Sequence, residues 1–457
     1  MRKPSFLKRA QWLQSVTLVL VIFMLISLVR ISALLPGISE KADREKSRAR
    51  AKVNRKEYTR GSILDRDGEK LAYSDEPMGE RHYLHPFAYS PLLGYASVRY
   101  GTSGLEDLLD GYLAWGPGPK DDKRGQDVTL TLDAGLTEEA YRQIKDFAGS
   151  VVILDVKTGE ILALTSSPSY DISRIEEDWE EINSKEGVML SNAYRNPVAP
   201  GSVFKLVTSK AILEAGIDKE KVDDKGSLRV NGQTIHNYAG EAFGKVDFRQ
   251  AFVKSSNVYF MDRALKLGSS RMREAGKSFM LGEAVELDFT TLSSEFDPGD
   301  RSDNLLAVTA FGQGNTLVTP LHMAMITQSI ANDGQMIRPW LIVRRKDAGG
   351  REEELGKTEV MAATMEPGVA GEIRDAMTEA GKTYGLKKIG KEKIQIAAKT
   401  GTAQRGDGTN NAWLVTFAPA DEPRYVVVVN RLGTKEIGRS LKPVAENLYE
   451  MLFSDGE

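Results

Sequence analysis

The sequence predicts an α+β fold, in which an antiparallel sheet flanked by helices follows a smaller N-terminal domain and one transmembrane helix. Three observations predict it. A long apolar run lies near the start of the chain, strand-like segments alternate with amphipathic stretches, and the motifs S-x-x-K, S-x-N and K-T-G follow one another in that order. The 457 residues leave room for two or three domains.

The apolar run extends from Trp12 to Leu35. As a helix it would span about 36 Å, enough to cross a bilayer core of about 30 Å. We therefore predict a transmembrane helix over residues 11–35 after a tail over residues 1–10; a cleaved signal peptide and a buried core helix are the alternatives. Residues 41–60 carry nine Lys or Arg against three acidic residues, so the distribution of positive charge does not decide the orientation.

The segment over residues 36–130 predicts a basic stalk followed by a non-catalytic domain. It contains Arg60-Gly-Ser-Ile-Leu-Asp-Arg-Asp-Gly68 and, later, Gly101-Thr-Ser-Gly-Leu-Glu106. A turn-rich, charged stretch from Trp115 to Gly125 indicates a boundary. We place the domain change near residue 130, so that a second domain covers residues 131–457.

The second domain begins with a strand over 128–132 and an amphipathic helix over 135–147. Two β-rich runs over 149–155 and 160–165, joined by a short turn, predict a hairpin. A buried helix then starts after Pro200-Gly201 and ends near Gly216. Further strands and a last helix are predicted over residues 393–398, 412–417, 424–429 and 443–453.

Composition excludes several kinds of site. Cysteine is absent, which excludes disulfides, thiolate catalysis and Cys-based zinc sites. The histidines lie outside any H-E-x-x-H pattern, so a His-based zinc hydrolase is not expected, and no metal or cofactor is predicted; they are His82, His85, His236 and His322. A net charge of -3 gives no general attraction to nucleic acid.

The ordered motifs are Ser202-Val-Phe-Lys205, Ser255-Ser-Asn257 and Lys399-Thr-Gly-Thr402. Together they predict a serine nucleophile with a lysine base, which is the chemistry of acyl transfer.

Each motif also has a second copy, and only its position and context argue against it. The S-x-x-K copy at Ser5 precedes the apolar run, and the K-T-G copy at Lys157 precedes every S-x-N. The S-x-N copy at Ser302 lies in a polar, turn-rich segment that we expect to have no apolar helical face behind it.

The first motif fits its chemistry if Ser202 begins a helix. Its backbone N–H and the positive end of the helix dipole then favour an oxyanion nearby. Lys205 lies one turn later on the same face and can act as a base only if its pKa falls. Burial and the charge of Lys399 would both lower that pKa. The alternative is a serine cap followed by an exposed lysine.

The other two motifs complete the predicted site. Ser255 and Asn257 can share one side only in an extended or turn conformation at the edge of the following helix, where they could relay a proton and hold a carbonyl. Lys399-Thr-Gly-Thr402 on a strand could bind the carboxylate of a peptide that adds as an extra strand, and Gly401 would let that peptide approach. The alternatives are a helix cap and an ordinary edge strand.

These motifs resemble those of class B penicillin-binding proteins, the monofunctional D,D-transpeptidases of peptidoglycan synthesis. Their catalytic domain has a β-lactamase/transpeptidase-like fold on a non-catalytic pedestal. The resemblance extends from about Arg60 to the end of the chain and includes further motifs at Gly104-Leu-Glu106, Ile153-Leu-Asp-Val-Lys-Thr-Gly-Glu-Ile-Leu-Ala163, Gly312-Gln-Gly314, Val318-Thr-Pro320 and Ile330-Ala-Asn-Asp-Gly334.

The resemblance implies roles for the motif residues, in acyl transfer from a D-Ala-D-Ala peptide. They are catalysis by Ser202, Lys205, Ser255, Asn257 and Lys399, substrate binding by Thr400, Gly401 and Thr402, and an oxyanion hole made of the backbone N–H groups of Ser202 and Thr402. It also implies β-lactam inhibition, peptidoglycan stem peptides and lipid-linked glycan strands as ligands, contact with membrane lipid, and a membrane-embedded glycan polymerase as partner. The catalytic domain would lie outside a bacterial cell membrane that the chain crosses once, with its N-terminus cytoplasmic.

Two departures from the family pattern leave the choice among division, elongation and sporulation open. The pedestal is short, and Gly381-Lys-Thr-Tyr-Gly385 stands where relatives often have a Gly-Thr-Ala-like segment. Two other functions use the same fold. A serine β-lactamase would need a deacylating base, and no E-x-x-x-N occurs between Asn257 and Lys399. A penicillin-binding sensor would be expected to carry a cytosolic signalling domain, whereas about ten residues precede the predicted anchor.

Overall fold

The computed structural model describes residues 58–115, 123–300 and 302–454. The predicted tail over 1–10, the transmembrane helix over 11–35 and the first part of the stalk lie outside these ranges. Within the described ranges, no helix is both long enough and apolar enough to span a bilayer.

The N-terminal part contains short elements connected by turns. They are β1 (Ile63–Leu64), β2 (Lys70–Tyr73), β3 (His82–Tyr83), α1 (Pro86–Leu93), β4 (Ala96–Ser97), β5 (Gly101–Thr102), α2 (Gly104–Leu108), α3 (Asp110–Leu113) and β6 (Asp127–Leu130). β1 pairs antiparallel with β2 and parallel with β6, so this sheet is mixed. The strand predicted over 128–132 is thus confirmed as β6.

A buried ion cluster connects the two N-terminal motifs noted in the sequence. Arg60 Nε donates to Glu106 Oε2 at 2.7 Å, and Arg60 Nη1 donates to Asp110 Oδ1 at 2.6 Å. Arg81 Nε donates to the other oxygen of Glu106 at 2.7 Å. Because two arginines contact Glu106, its pKa is lowered despite complete burial. Loss of one partner would leave a buried charge uncompensated, which is why the motif residues act together in stabilising this domain.

The remainder of the chain alternates strands and helices. In chain order they are α4 (Ala134–Ile144), β7 (Gly149–Asp155), β8 (Ile161–Ser167), α5 (Trp179–Ser184), α6 (Lys205–Glu214), β9 (Val222–Asp224), β10 (Ser227–Val230), β11 (Gln233–His236), β12 (Gly244–Val246), α7 (Phe248–Lys254), α8 (Asn257–Ser278), α9 (Asp303–Thr309), α10 (Pro320–Ala331), β13 (Gln335–Ile337), β14 (Ile342–Lys346), β15 (Glu352–Glu354), β16 (Val360–Ala363), α11 (Pro367–Thr383), β17 (Ala397–Gln404), β18 (Asn410–Ala418), β19 (Tyr425–Thr434) and α12 (Lys442–Ser454).

A five-stranded antiparallel sheet forms the centre of this part, in the order β17-β18-β19-β7-β8. The predicted hairpin is confirmed as β7 and β8, with Gly159 at φ +77° in the turn that contains the second K-T-G. Two of the strands and the last helix predicted near the C-terminus are confirmed as β18, β19 and α12. The strand predicted over 393–398 begins later, at Ala397, and continues through the K-T-G motif as β17. Val426 to Val429 in β19 are fully buried because helices cover the sheet.

Some of the helices that cover the sheet can be predicted from the sequence pattern, and others cannot. α4 and α12 contact one another and the sheet; α4, predicted over 135–147, is amphipathic and is capped by Asp133, whose side chain accepts the N–H of Leu136. α10 contacts β7, β18 and β19, while α6 and α11 contact α10 in turn. Every residue of α10 is buried, so it has no polar face from which a helical period could be recognised.

Two features differ from the sequence-based expectation. β14 and β15 join the N-terminal sheet through β6, so that sheet contains strands from both sides of residue 130; the boundary there stays a prediction. The expectation about Ser302 is wrong. Ser302 caps α9 by accepting the N–H of Leu305, and Leu306 and Ala307 behind it are buried. A one-turn apolar face in a polar segment is too short to give a clear period.

Candidate active site

Ser202 lies in a 3-10 turn over Gly201–Phe204 that leads directly into α6. The sequence predicts an α-helix that starts at Ser202. In the structure the α-helix starts at Lys205, and Ser202 lies in the 3-10 turn that precedes it. Gly201 has φ +57°, and a Cβ there would lie 2.9 Å from the N atom of Ala403. Only glycine therefore allows the turn to pack directly against the K-T-G strand, β17.

Lys205 is the first residue of α6 and is fully buried. Its Nζ lies 3.0 Å from Ser202 Oγ and 2.8 Å from Asn257 Oδ1. It also donates to the carbonyl and the hydroxyl oxygens of Ser255, at 2.7 and 3.1 Å. The side chain thus connects the first motif to the second.

Burial lowers the pKa of Lys205 well below its usual value, and the charge of Lys399 lowers it further. The carboxylate of Asp224 acts in the opposite direction. A lowered pKa makes the deprotonated amine more accessible than in an ordinary lysine, which is what a base that accepts the proton of the contacted hydroxyl requires.

The S-x-N motif joins two helices through a sharp turn. Ser255, at the end of α7, has φ +58°, a left-handed conformation that turns the chain. Ser256 caps α8 by accepting the N–H of Tyr259, and Asn257 is the first residue of that helix. The expected turn at a helix edge is thus present, and it directs both Ser255 Oγ and Asn257 Oδ1 toward Lys205. Capping, the alternative explanation of the motif, is performed by the residue between them.

The K-T-G motif lies on β17, an edge strand of the central sheet. Lys399 is fully buried, and its Nζ donates to Ser255 Oγ at 2.9 Å and to the carbonyl oxygen of Thr400 at 3.0 Å. Burial lowers its pKa to about 7, and the nearby Arg439 contributes to this shift. Ser255 Oγ therefore lies between two lysine amines, where a proton can be passed on.

The structure gives a different reason for glycine at position 401 from the close approach of a peptide that the sequence suggested. A Cβ at this position would lie 2.7 Å from the carbonyl oxygen of Pro200, so Gly401 makes room for the turn that carries Ser202. Thr400 and Thr402 are partly exposed, whereas Lys399 and Gly401 are buried. Thr402 Oγ1 accepts the N–H of Gly438 at 3.3 Å.

Two residues beside Lys399, Tyr384 and Arg439, are not predicted as site residues from the sequence. The hydroxyl of Tyr384 lies 3.4 Å from Lys399 Nζ, and the guanidinium of Arg439 lies 4.8 Å from the centre of the tyrosine ring. Burial raises the pKa of Tyr384, which keeps the phenol neutral. The available signal was the tyrosine in Gly381-Lys-Thr-Tyr-Gly385, which departs from the family pattern; Arg439 has no motif around it.

Histidines and acidic residues do not form a competing site in the described residues. His322 is buried and contacts Ser294 Oγ and the carbonyl oxygen of Phe279 through its two ring nitrogens, which is a structural role. His236 is exposed, and its carbonyl oxygen accepts from Asn257 Nδ2. Within the part of the chain that the structure describes, no three His, Asp or Glu side chains are close enough to share a metal ion.

Two known families match this chain. The family described as the penicillin binding protein transpeptidase domain matches residues 149–450. The chain belongs to this family. A second family, the penicillin binding protein A dimerisation domain, matches residues 60–130. The two domains together are those of a class B penicillin-binding protein, so the resemblance found in the motifs is confirmed.

Similar proteins carry the corresponding names. Peptidoglycan D,D-transpeptidase PbpA of Mycolicibacterium smegmatis is 30% identical over 405 residues, which cover 79% of this chain and 82% of that protein. Penicillin-binding protein 3 of Bacillus subtilis is 31% identical over 349 residues, 69% of this chain and 51% of that protein. The ceftriaxone acyl-enzyme of penicillin-binding protein A from Mycobacterium tuberculosis has a TM-score of 0.81 at 28% identity, covering 87% of this chain and 99% of that one.

Proposed function

We propose that this penicillin-binding protein is a peptidoglycan D,D-transpeptidase that acts through an acyl-serine at Ser202. The observation that supports it most directly is the 3.0 Å contact between Lys205 Nζ and Ser202 Oγ, made by a fully buried lysine whose pKa is lowered. A nucleophile and a base within hydrogen-bond reach are what acyl transfer requires.

In the first half of the reaction, Ser202 Oγ attacks the carbonyl carbon of the penultimate D-Ala, and its proton passes to Lys205 Nζ. An ester bond forms and the peptide C–N bond breaks. Ser255 Oγ, 3.1 Å from Lys205 Nζ, passes the proton to the departing D-Ala amine. Asn257 holds the donor peptide, and an oxyanion forms at the attacked carbonyl.

Two backbone N–H groups, of Ser202 and Thr402, stabilise that oxyanion, and each donor of this kind contributes about 2.7–4 kcal/mol. The packing of Gly201 against the Thr402–Ala403 backbone keeps the two groups near each other. Thr400 and Thr402 bind the terminal carboxylate of the donor, and Lys399 supplies a positive field beside it.

In the second half, the amine of a neighbouring stem peptide attacks the ester. Its proton returns through Ser255 and Lys205 to Ser202 Oγ, and a cross-link replaces the ester. A β-lactam follows the first half only, because its leaving nitrogen stays attached to the acyl group after the ring opens. The result is a long-lived ester on Ser202.

Labelling of the purified protein with a fluorescent penicillin tests the nucleophile. We expect a stable adduct on the wild type and none on Ser202→Ala. Ser302→Ala is the matched control, since this serine begins the second S-x-N sequence and caps a helix elsewhere; it should label fully. Labelling that persists in Ser202→Ala would remove the basis of the proposal.

The same label separates the alternatives. Rapid loss of the adduct with release of hydrolysed penicillin would indicate a serine β-lactamase. A stable adduct without product, when a D-Ala-D-Ala stem peptide and an amine acceptor are supplied and analysed by mass spectrometry, would indicate a penicillin-binding sensor. Formation of the cross-linked peptide supports the transpeptidase.

The location of the reaction is also a proposal. Its substrate, the peptidoglycan stem peptide, lies outside the bacterial cell membrane, so residues 11–35 would cross the bilayer once, with the N-terminus cytoplasmic. The pedestal and catalytic domain would then lie outside, near membrane lipid and a membrane-embedded glycan polymerase that supplies the strands. Protease treatment of intact spheroplasts should digest the catalytic domain of the full chain. Release of a shortened, soluble protein from the cells would indicate a cleaved signal peptide instead.

A further inference from the structure

A buried carboxylate lies behind the S-x-N motif and has no part in the reaction just described. Asp224, the last residue of β9, is 1% exposed. Its two oxygens accept hydrogen bonds from Asn237 Nδ2 at 2.8 and 2.9 Å, and Oδ1 accepts the N–H of Gly226 at 2.8 Å. The hydroxyl of Ser256 donates to Oδ2. A carboxylate with this many donors is held in one orientation.

Two of those donors hold the start of α8 with their other atoms. Asn237 Oδ1 accepts the N–H of Asn257 at 2.7 Å and that of Val258 at 3.0 Å. Ser256 Oγ accepts the N–H of Tyr259 at 3.0 Å. These are the first N–H groups of the helix, which have no partner within it. Asp224 therefore anchors both side chains that determine where α8 begins.

The start of α8 in turn presents the catalytic groups. Ser255 is in a left-handed conformation immediately before Ser256, and its carbonyl oxygen, its hydroxyl and Asn257 Oδ1 all contact Lys205 Nζ. A shift of the turn would move three of the four oxygens that surround the amine. Misplacement of about 1 Å can slow an enzyme on the order of a hundredfold.

We propose that Asp224 is a positioning residue for acylation: through Ser256 and Asn237 it holds the turn that presents Ser255 and Asn257 to Lys205, and it places a negative charge behind the amine. The inference rests on the proposed role of Lys205 as the base.

The negative charge of Asp224 affects the pKa of Lys205, which its hydrogen bonds to Ser256 and Asn237 alone would not do. Around Lys205, the cation Lys399 approaches from β17, with Arg439 acting on Lys399 and the neutral phenol of Tyr384 beside it. Asp224 opposes them and raises the pKa of Lys205 relative to a site without it. Removal of the carboxylate charge should lower that pKa further. The pH at which acylation reaches half its maximal rate then moves to lower pH, a change that a looser turn does not predict.

Two variants separate the hydrogen bonds from the charge. Asp224→Asn removes the charge and keeps the shape of the side chain. Its oxygen still accepts from Asn237 Nδ2 and from the N–H of Gly226, whereas its amide loses the second contact with Asn237 and donates to the Ser256 hydroxyl instead of accepting from it. Ser256→Ala keeps the charge and breaks one connection to α8. Asp65→Asn is the matched control, since Asp65 is 2% exposed and accepts three backbone N–H groups in the N-terminal part of the chain.

The acylation rate constant is measured against pH by stopped-flow fluorescence with a fluorescent penicillin and the full chain. We expect Asp224→Asn to move the half-maximal pH downward, and Ser256→Ala to slow acylation about ten- to a hundredfold at every pH without moving it. Asp65→Asn should match the wild type in both quantities.

Either an unchanged or a raised half-maximal pH in Asp224→Asn overturns the proposal, whatever the rate. A wild-type rate in Ser256→Ala overturns it as well. A wild type that is not acylated, or a Ser202→Ala variant that is, contradicts the proposed function instead, so the two failures are distinguishable.

Discussion

Replacement of Lys205 by alanine is the most direct test of the lysine's role as the base. Its Nζ lies 3.0 Å from Ser202 Oγ, and a positioned base contributes about 10²–10⁴-fold to a rate. The acylation rate constant should therefore fall by about 10²–10⁴-fold, which corresponds to about 2.7–5.4 kcal/mol in the activation free energy. The dissociation constant of the non-covalent penicillin complex should change by less than about tenfold, because the carboxylate site proposed at Thr400 and Thr402 is untouched.

The variant also loses stability, and this effect has to be separated from the kinetic one. Without Lys205, the carbonyl oxygen of Ser255 and Asn257 Oδ1 lose a donor; an unsatisfied buried acceptor costs about 1–3 kcal/mol. Lys210→Ala is the matched control on the same helix. Lys210 is also buried, and its Nζ pairs with Glu214 at 2.6 Å, away from the serine.

The assay is stopped-flow fluorescence over a range of penicillin concentrations, which yields the dissociation constant and the acylation rate constant separately. Circular dichroism and thermal unfolding establish that both variants are folded at the assay temperature. Lys210→Ala should acylate at the wild-type rate. Equal losses in binding and in the rate constant for Lys205→Ala, or a loss in rate below about tenfold, would refute the role of the lysine as the base.

Three further predictions concern the surroundings of the site. The pKa of Lys399 is about 7 in the folded protein, against 10.5 for an ordinary lysine. Between these two values the unfolded chain binds one more proton than the folded protein, so the free energy of unfolding should rise as the pH rises through this window. Urea titrations of Lys399→Met at several pH values should lack that rise. Gly312→Ala should lower the free energy of unfolding by about 1–3 kcal/mol, because Gly312 has φ +73° and a Cβ there would lie 2.3 Å from the carbonyl oxygen of Gly201. Gly368 has open space around it, so Gly368→Ala should leave the free energy of unfolding unchanged. Trp413→Phe leaves the carbonyl oxygen of Ala199 without the indole N–H at 3.0 Å and should cost about 1–3 kcal/mol, and an unchanged urea midpoint would contradict the importance of this bond.

The fold could be predicted from the sequence where local patterns of apolar and turn residues are strong. β7, β8, β18 and β19 are continuous apolar strands bounded by turn residues, and these are signals that a single sequence contains. They failed for α10, which is buried on all sides, and for β14, whose partner strand β6 lies more than two hundred residues earlier. Pairing over such a distance leaves no mark in local periodicity.

The site divides in the same way. The order of the three motifs favours Ser202 and Lys399 over their second copies, but it does not exclude the S-x-N copy at Ser302. The contacts of Ser255 Oγ with the amines of Lys205 and Lys399 favour Ser255 over that copy. Asp224, Tyr384 and Arg439 have no motif to identify them, and their importance comes from contacts between segments far apart in the chain.

By itself, then, the sequence determined the family and most of the strands of the central sheet, and it pointed to Ser202 as the proposed nucleophile and to Lys205 as its partner, because these depend on residue type and on spacing along the chain. Only the tertiary structure decided that Ser202 lies in a 3-10 turn, that Gly401 accommodates that turn, and that Lys205 is enclosed by oxygens from the S-x-N turn. Those features depend on distances between segments that meet only after folding, and so does the lowered pKa of the lysine, which requires its burial and the nearby charge of Lys399.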